Sequence, residues 1–64
     1  MTSEKARRLH EIRIKSALDN YTKNPEKTIL LHIACEALTH AELSGYAMPD
    51  LRTRYEMLIA SLED

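Results

Sequence analysis

Residues 24–45 read NPEKTILLHIACEALTHAELSG, and this stretch decides the fold that the sequence predicts. It opens with Asn24 and Pro25, which supply a helix cap and a proline suited to the first helical position. It closes on Gly45, the residue type that best adopts the left-handed conformation at a helix end. Its apolar side chains spread over roughly 200° of a helical wheel and leave a polar strip of about 120°. The pattern predicts a helix over about residues 25–44 that packs against neighbours on more than one side.

Two further helices are predicted on either side of this stretch. Ser3 can cap a first helix over about residues 4–22, and Pro49 can open a third over about residues 49–62. Short connections favour antiparallel neighbours, so the sequence predicts an all-α fold, a helical hairpin followed by a third helix. Among the 64 residues are one glycine, two prolines and neither tryptophan nor phenylalanine, which agrees with an aliphatic helical protein. We expect residues 1–64 to form a single helical domain.

Two arrangements explain the wide apolar arc of the second helix. In a monomeric bundle, a central helix with two neighbours uses an arc of that width. In a dimer, two chains pack together through their first two helices, as small proteins with limited cores often do. Leu9 and Ile12 point away from the main apolar stripe of the first helix, and we therefore favour a dimeric helical bundle. The residues predicted to form its core or dimer seam are Leu30, Leu31, Ile33, Leu38 and Leu58.

The polar strip of the second helix contains His32, Glu36 and His40 at four-residue intervals. Side chains four residues apart are neighbours on a helix, but about 12 Å of helix rise separates the two histidines. A zinc site needs three or four ligands, which this strip does not readily bring together. Cys35 falls in the apolar arc and suits a small buried side chain better than a nucleophile. We therefore predict no metal, no cofactor and no catalytic residue, and we interpret the strip as a solvated helix face.

Charge is divided unevenly along the chain. Residues 1–24 contain six Lys/Arg and three Asp/Glu, net +3, whereas residues 25–64 contain three and seven, net −4, so the total is −1. A total this small argues against a general attraction to nucleic acid or anionic membranes. The basic residues of the first helix surround two apolar ones, and an apolar centre with an arginine rim is typical of protein interfaces, although such a run can also be a solvated face. The residues predicted to bind another protein are Arg8, Leu9, Ile12, Arg13 and Lys15.

These observations predict a small non-enzymatic protein that regulates or inhibits another protein by binding it, as a homodimer. The alternative is a helix-turn-helix-like DNA-binding transcriptional regulator using residues 37–60, because Ala41, Gly45 and Leu51 have the spacing common in such units. Its would-be recognition helix has only two arginines, whereas phosphate contacts normally require several basic groups. With no apolar signal-peptide region and no apolar run of membrane-spanning length, the protein is expected to be cytoplasmic.

Overall fold

The computed structural model describes residues 3–62, which form three α-helices. These are α1 (Glu4–Lys23), α2 (Ile29–Leu43) and α3 (Pro49–Leu62). No strand occurs among the described residues, and the prediction of an all-α fold with three helices is confirmed. The molecule is elongated, with principal dimensions of 43 × 17 × 15 Å.

The start of α1 follows the predicted capping pattern. Ser3 has an extended backbone, and its hydroxyl oxygen accepts a hydrogen bond of 3.1 Å from the Ala6 backbone N–H. This bond satisfies one of the N–H groups that lack a partner in the first turn of a helix. Glu4 in the first turn and Lys23 in the last turn complement the partial charges at the two helix ends.

The predicted start of α2 was wrong, because this helix begins at Ile29 and not at residue 25. The Lys27 N–H donates a hydrogen bond of 2.9 Å to the Asn24 carbonyl, which closes a turn before the helix. Asparagine at the first position and proline at the second are typical of such a turn, so Pro25 stabilises the connection and does not open the helix. The turn keeps the connection between α1 and α2 short.

The end of α2 confirms the role predicted for Gly45. The helix ends at Leu43, and Gly45 has a φ of +89°, in the left-handed region. The N–H of Gly45 donates to the Glu42 carbonyl and the N–H of Tyr46 donates to the Ala41 carbonyl, which satisfies carbonyls of the last turn. The chain then turns towards α3, which opens at Pro49 as predicted.

The core lies mainly between the antiparallel helices α1 and α2. Three large side chains, Ile14, Leu18 and Leu38, are fully buried there. Four alanines in the core give the two helices little side-chain bulk to separate them. Within residues 3–62 the buried residues are Ile14, Ala17, Leu18, Tyr21, Leu31, Ala34, Ala37, Leu38, Ala41 and Met48. A core of this size provides limited stability, since few large apolar side chains leave water completely.

Helix α3 packs less deeply than the other two. No residue of α3 is buried, and its apolar stripe is only partly covered by the hairpin core. Two ion pairs add to this packing: Arg52 binds Glu42 of α2, and Arg54 binds Asp19 of α1. Helix α3 therefore covers one side of the hairpin and is held there by a half-buried apolar stripe and two ion pairs.

The opposite side of the hairpin is not covered by α3. Glu42, which α3 contacts, lies nine residues after Ile33, and nine steps of about 100° place the two side chains on opposite sides of α2. The depression around Ile33 is lined by residues of α1 and α2 alone. We call this surface the open face, and it comprises Arg13, Ile29, Ile33, Glu36 and His40.

The residues predicted for the core or dimer seam have three different environments. Leu31 and Leu38 are buried in the core, and Leu30 and Leu58 are partly buried against it. Ile33 is 45% exposed and therefore does not belong to the core of the single chain. Its assignment to a dimer seam stays a prediction, as does the dimeric bundle.

Candidate protein-binding surface

The outer side of α1 presents two large apolar side chains to solvent. Leu9 is 61% exposed and Ile12 is 56% exposed, although other apolar residues of the same helix are buried. The two side chains lie three residues apart and are neighbours on the helix surface. The buried stripe of α1 includes Ile14, Leu18 and Tyr21. At about 100° per residue, Leu9 and Ile12 lie on the opposite side of the helix from this stripe. The core of the chain is thus built without Leu9 and Ile12.

Basic side chains border this apolar pair on both flanks. At about 100° per residue, Arg8 and Lys15 lie on one flank and Arg13 lies on the other. All three are exposed, and within residues 3–62 none of them forms a salt bridge. The structure therefore brings the five residues predicted for partner binding together on one side of α1. We call this set the α1 surface; it consists of Arg8, Leu9, Ile12, Arg13 and Lys15.

The arginines of α3 are engaged within the chain. Arg52 donates hydrogen bonds to both carboxylate oxygens of Glu42, at 3.1 Å from Nε and 2.8 Å from Nη2. These bonds hold the pKa of Glu42 below its usual value and raise the pKa of Arg52. Arg54 Nη2 lies 2.7 Å from Asp19 Oδ1. The two cations that the DNA-binding alternative needs are thus bound to carboxylates of the hairpin.

The histidines of the polar strip make separate pairwise contacts. His32 Nε2 lies 3.1 Å from Glu36 Oε1, and both side chains are more than 70% exposed, at 71% and 73%. His40 instead contacts His10 of α1, with ring centroids 5.7 Å apart, and His10 also lies 5.3 Å from the Tyr46 ring. Within the described part of the chain, no three histidine, cysteine or acidic side chains are grouped so that they could hold a metal ion.

Cys35 contacts α3 from the outer part of the apolar arc. It is half-buried, and hydrogen bonding with the Cys35 thiol raises the pKa of the Tyr55 phenol above its ordinary value, with burial adding to the effect. The Arg52 guanidinium lies 5.9 Å from the centre of the Tyr55 ring. The sequence predicted a small apolar role for Cys35 but not this contact, which depends on the position of α3.

Other exposed apolar side chains were not predicted as site residues. Leu43 is 84% exposed, Met57 is 67% exposed and Ile29 is 64% exposed. On α2 the available signal was position, because at about 100° per residue Ile29 and Leu43 fall within the polar strip. A single exposed apolar residue is ordinary, whereas Ile29 with Ile33 forms an adjacent pair on the open face.

The sequence matches no protein-family model, and no curated protein or solved structure is significantly similar to it. Within residues 3–62, none of the helices combines the length and the apolar character needed to cross a membrane.

Proposed function

We propose that this chain is a small non-enzymatic protein that binds another protein through the α1 surface and thereby regulates or inhibits it, working in the cytoplasm as a homodimer. The observation that carries the proposal is the exposure of Leu9 and Ile12 beside basic side chains that have no ion pair within residues 3–62. The single cysteine of the chain suits a reducing compartment, which supports the cytoplasmic part of the proposal.

The chemistry of the α1 surface defines the kind of partner that fits it. Complete burial of a leucine or isoleucine side chain contributes about 1.5 to 3 kcal/mol, so Leu9 and Ile12 together can anchor a complex. Arg8 and Arg13 can each bind a carboxylate through two hydrogen bonds, and Lys15 adds a further positive charge. The complementary partner has an apolar depression with acidic residues at its rim.

The DNA-binding alternative has less support in the geometry. A recognition helix needs basic side chains that are free to contact phosphates and base edges. In α3, Arg52 and Arg54 are held by Glu42 and Asp19, and breaking these pairs would remove two of the contacts that attach α3 to the hairpin. We therefore propose binding to protein and not to DNA.

The proposal is tested by capture with matched variants. The wild-type chain, the double variant Leu9→Ser/Ile12→Ser and the control Leu43→Ser/Met57→Ser are each immobilised and exposed to the same cell extract. The control makes the same chemical change at two other exposed apolar positions. We expect one or more proteins to be retained by the wild type and the control and lost from the α1 variant.

Circular dichroism of the same three proteins separates binding from folding. Because Leu9 and Ile12 lie outside the core, all three proteins should have the same helical content. Identical sets of captured proteins, with the α1 variant folded, would contradict the proposal. A collapse of helicity in the α1 variant alone would also contradict it, since the two residues would then belong to the core.

A further inference from the structure

We propose that a second copy of this chain covers the open face, in a two-fold dimer that places Arg13 of each chain beside Glu36 of the other. The inference rests on the homodimer of the proposed function and assigns it a surface. The open face is the side of the hairpin that α3 leaves uncovered, and it consists of Arg13, Ile29, Ile33, Glu36 and His40.

The two sides of the hairpin differ in what covers them. The hairpin of α1 and α2 has two broad sides, and the contacts of α3 with Asp19, Cys35 and Glu42 are all on one of them. The depression around Ile33 on the other side contains no residue of α3. If the hairpin of a second copy packed there, the dimer would have four layers: α3 and the hairpin of one chain, then the hairpin and α3 of the other. Both sides of each hairpin would then be covered. Helical bundles bury their apolar stripes in this way.

The described part of the chain exposes more large apolar side chains than it fully buries. Among residues 3–62, three large side chains are fully buried, whereas seven large apolar side chains are exposed. Ile29 and Ile33 are two of these seven, and their four-residue spacing makes them neighbours on α2. Small chains with limited cores commonly gain stability from a second copy. Burial of Ile29 and Ile33 of both copies at the dimer interface would add a shared apolar core to the small core of each chain.

The charge pattern of the open face identifies the occupant as another copy of the same chain. Arg13 of α1 and Glu36 of α2 line one depression, together with Ile33, Ala37 and His40. Within one chain these two side chains do not form a salt bridge with each other. A two-fold axis through the depression brings the cation of each copy to the anion of the other, because an isologous interface repeats every contact twice. The face is thus complementary to itself, with two ion pairs around an apolar centre.

The dimer leaves most of the α1 surface accessible. Arg13 lies at the border between the two surfaces, while Ile12, Arg8 and Lys15 lie further around α1 from the open face. Helix α3 lies on the far side of each hairpin. Each dimer would therefore present two copies of the partner-binding residues Arg8, Leu9, Ile12 and Lys15.

Charge reversal in single and mixed chains tests the dimer. Light scattering on a size-exclusion column should give the wild type a mass of twice 7.4 kDa over a wide range of protein concentration. Arg13→Glu and Glu36→Arg alone should each run as a single chain, because each places like charges together at the axis. An equimolar mixture of the two variants should regain the dimer mass, since one chain then supplies two carboxylates and the other two cations. Arg8→Glu and Glu26→Arg make the same charge changes at exposed positions outside the open face and should stay dimeric.

Three results would overturn the inference. They are a wild type of single-chain mass at every concentration, single variants that remain dimeric, and a mixture that stays at the mass of one chain. A monomeric wild type that still captures a protein through Leu9 and Ile12 would remove the dimer and keep the proposed binding function. A dimer with the expected charge dependence that captures nothing would keep the dimer and remove the binding function.

Discussion

Arg52 of α3 binds Glu42 of α2 through two parallel hydrogen bonds, with Nε to Oε2 at 3.1 Å and Nη2 to Oε1 at 2.8 Å. The pair matters because α3 has no buried residue and depends on contacts of this kind for its position. Two-point pairing of a guanidinium with a carboxylate also fixes orientation, which a single contact does not. The ion pair therefore adds a defined orientation to the packing of the half-buried apolar stripe of α3 on the hairpin.

Acid should weaken the protein through this pair. Hydrogen bonding to Arg52 holds the pKa of Glu42 below its usual value, so its contribution to stability is present above the ordinary glutamate pKa and is lost as the pH falls through the lowered value. Between about pH 6 and about pH 3, the melting temperature of the wild type should fall more steeply than that of Glu42→Gln. Circular dichroism melts measure the difference, with Glu26→Gln as an exposed control that follows the wild type. Parallel curves for wild type and Glu42→Gln would contradict this role of the pair.

Alkali should weaken the protein through Tyr55. Hydrogen bonding with Cys35, and then burial, raise the pKa of Tyr55 in the folded chain. Its contribution is therefore present below the ordinary tyrosine pKa of about 10 and is lost as the pH rises through the raised value. Melts from about pH 8 to about pH 11 should show a smaller loss of stability for Tyr55→Phe than for the wild type. Cys35→Ala should lower the pKa of Tyr55, measured by phenolate absorbance, and an unchanged titration would refute the contact.

Truncation of a core leucine and of a surface leucine should have very different effects. Leu18 is fully buried, so Leu18→Ala should cost about 2 to 5 kcal/mol. A single core of this size supplies about 3 to 5 kcal/mol, so the variant should be largely unfolded. Leu9→Ala changes a residue that is 61% exposed and should stay within about 0.5 kcal/mol of the wild type. Urea unfolding followed by circular dichroism makes the comparison, and equal losses would show that Leu9 is part of the core.

DNA binding should be absent under physiological salt. Electrophoretic mobility of a labelled duplex should not change on addition of the protein, because the arginines of α3 are paired within the chain. Arg52→Ala and Arg54→Ala should leave any retardation at low salt unchanged, since only unpaired cations contribute to it. A steep salt dependence that becomes shallower in these two variants would support the DNA-binding alternative instead.

Local signals in the sequence predicted much of the secondary structure. Ser3 caps α1, Gly45 follows the end of α2 and Pro49 begins α3, because each residue acts through its own backbone or a neighbour within a few positions. The start of α2 was mispredicted because its local signal fits two structures. An asparagine followed by proline suits both a helix start and a turn, and the hydrogen bond from Lys27 to Asn24 selects the turn.

Contacts that depend on the position of α3 could not be predicted from the sequence. The Arg54–Asp19 pair joins residues 35 positions apart, and periodicity gives no information about which side of the hairpin α3 will cover. The exposure of Leu9 and Ile12 was predictable, since they deviate from the stripe of their own helix. The exposure of Ile33 was not, because the wide arc of α2 did not identify which part of it lacks a neighbour.

The most direct test of the central claim is a nitrogen–proton NMR spectrum of the isotope-labelled chain, recorded alone and with a purified protein captured by it. The part of the α1 surface that the dimer leaves accessible, Arg8, Leu9, Ile12 and Lys15, is predicted to bind that protein. We expect signals from residues 5–16 to shift or broaden, and those of the outer side of α3 to stay in place. Changes centred on α3, with the α1 signals unaffected, would contradict the assignment of the binding surface to α1.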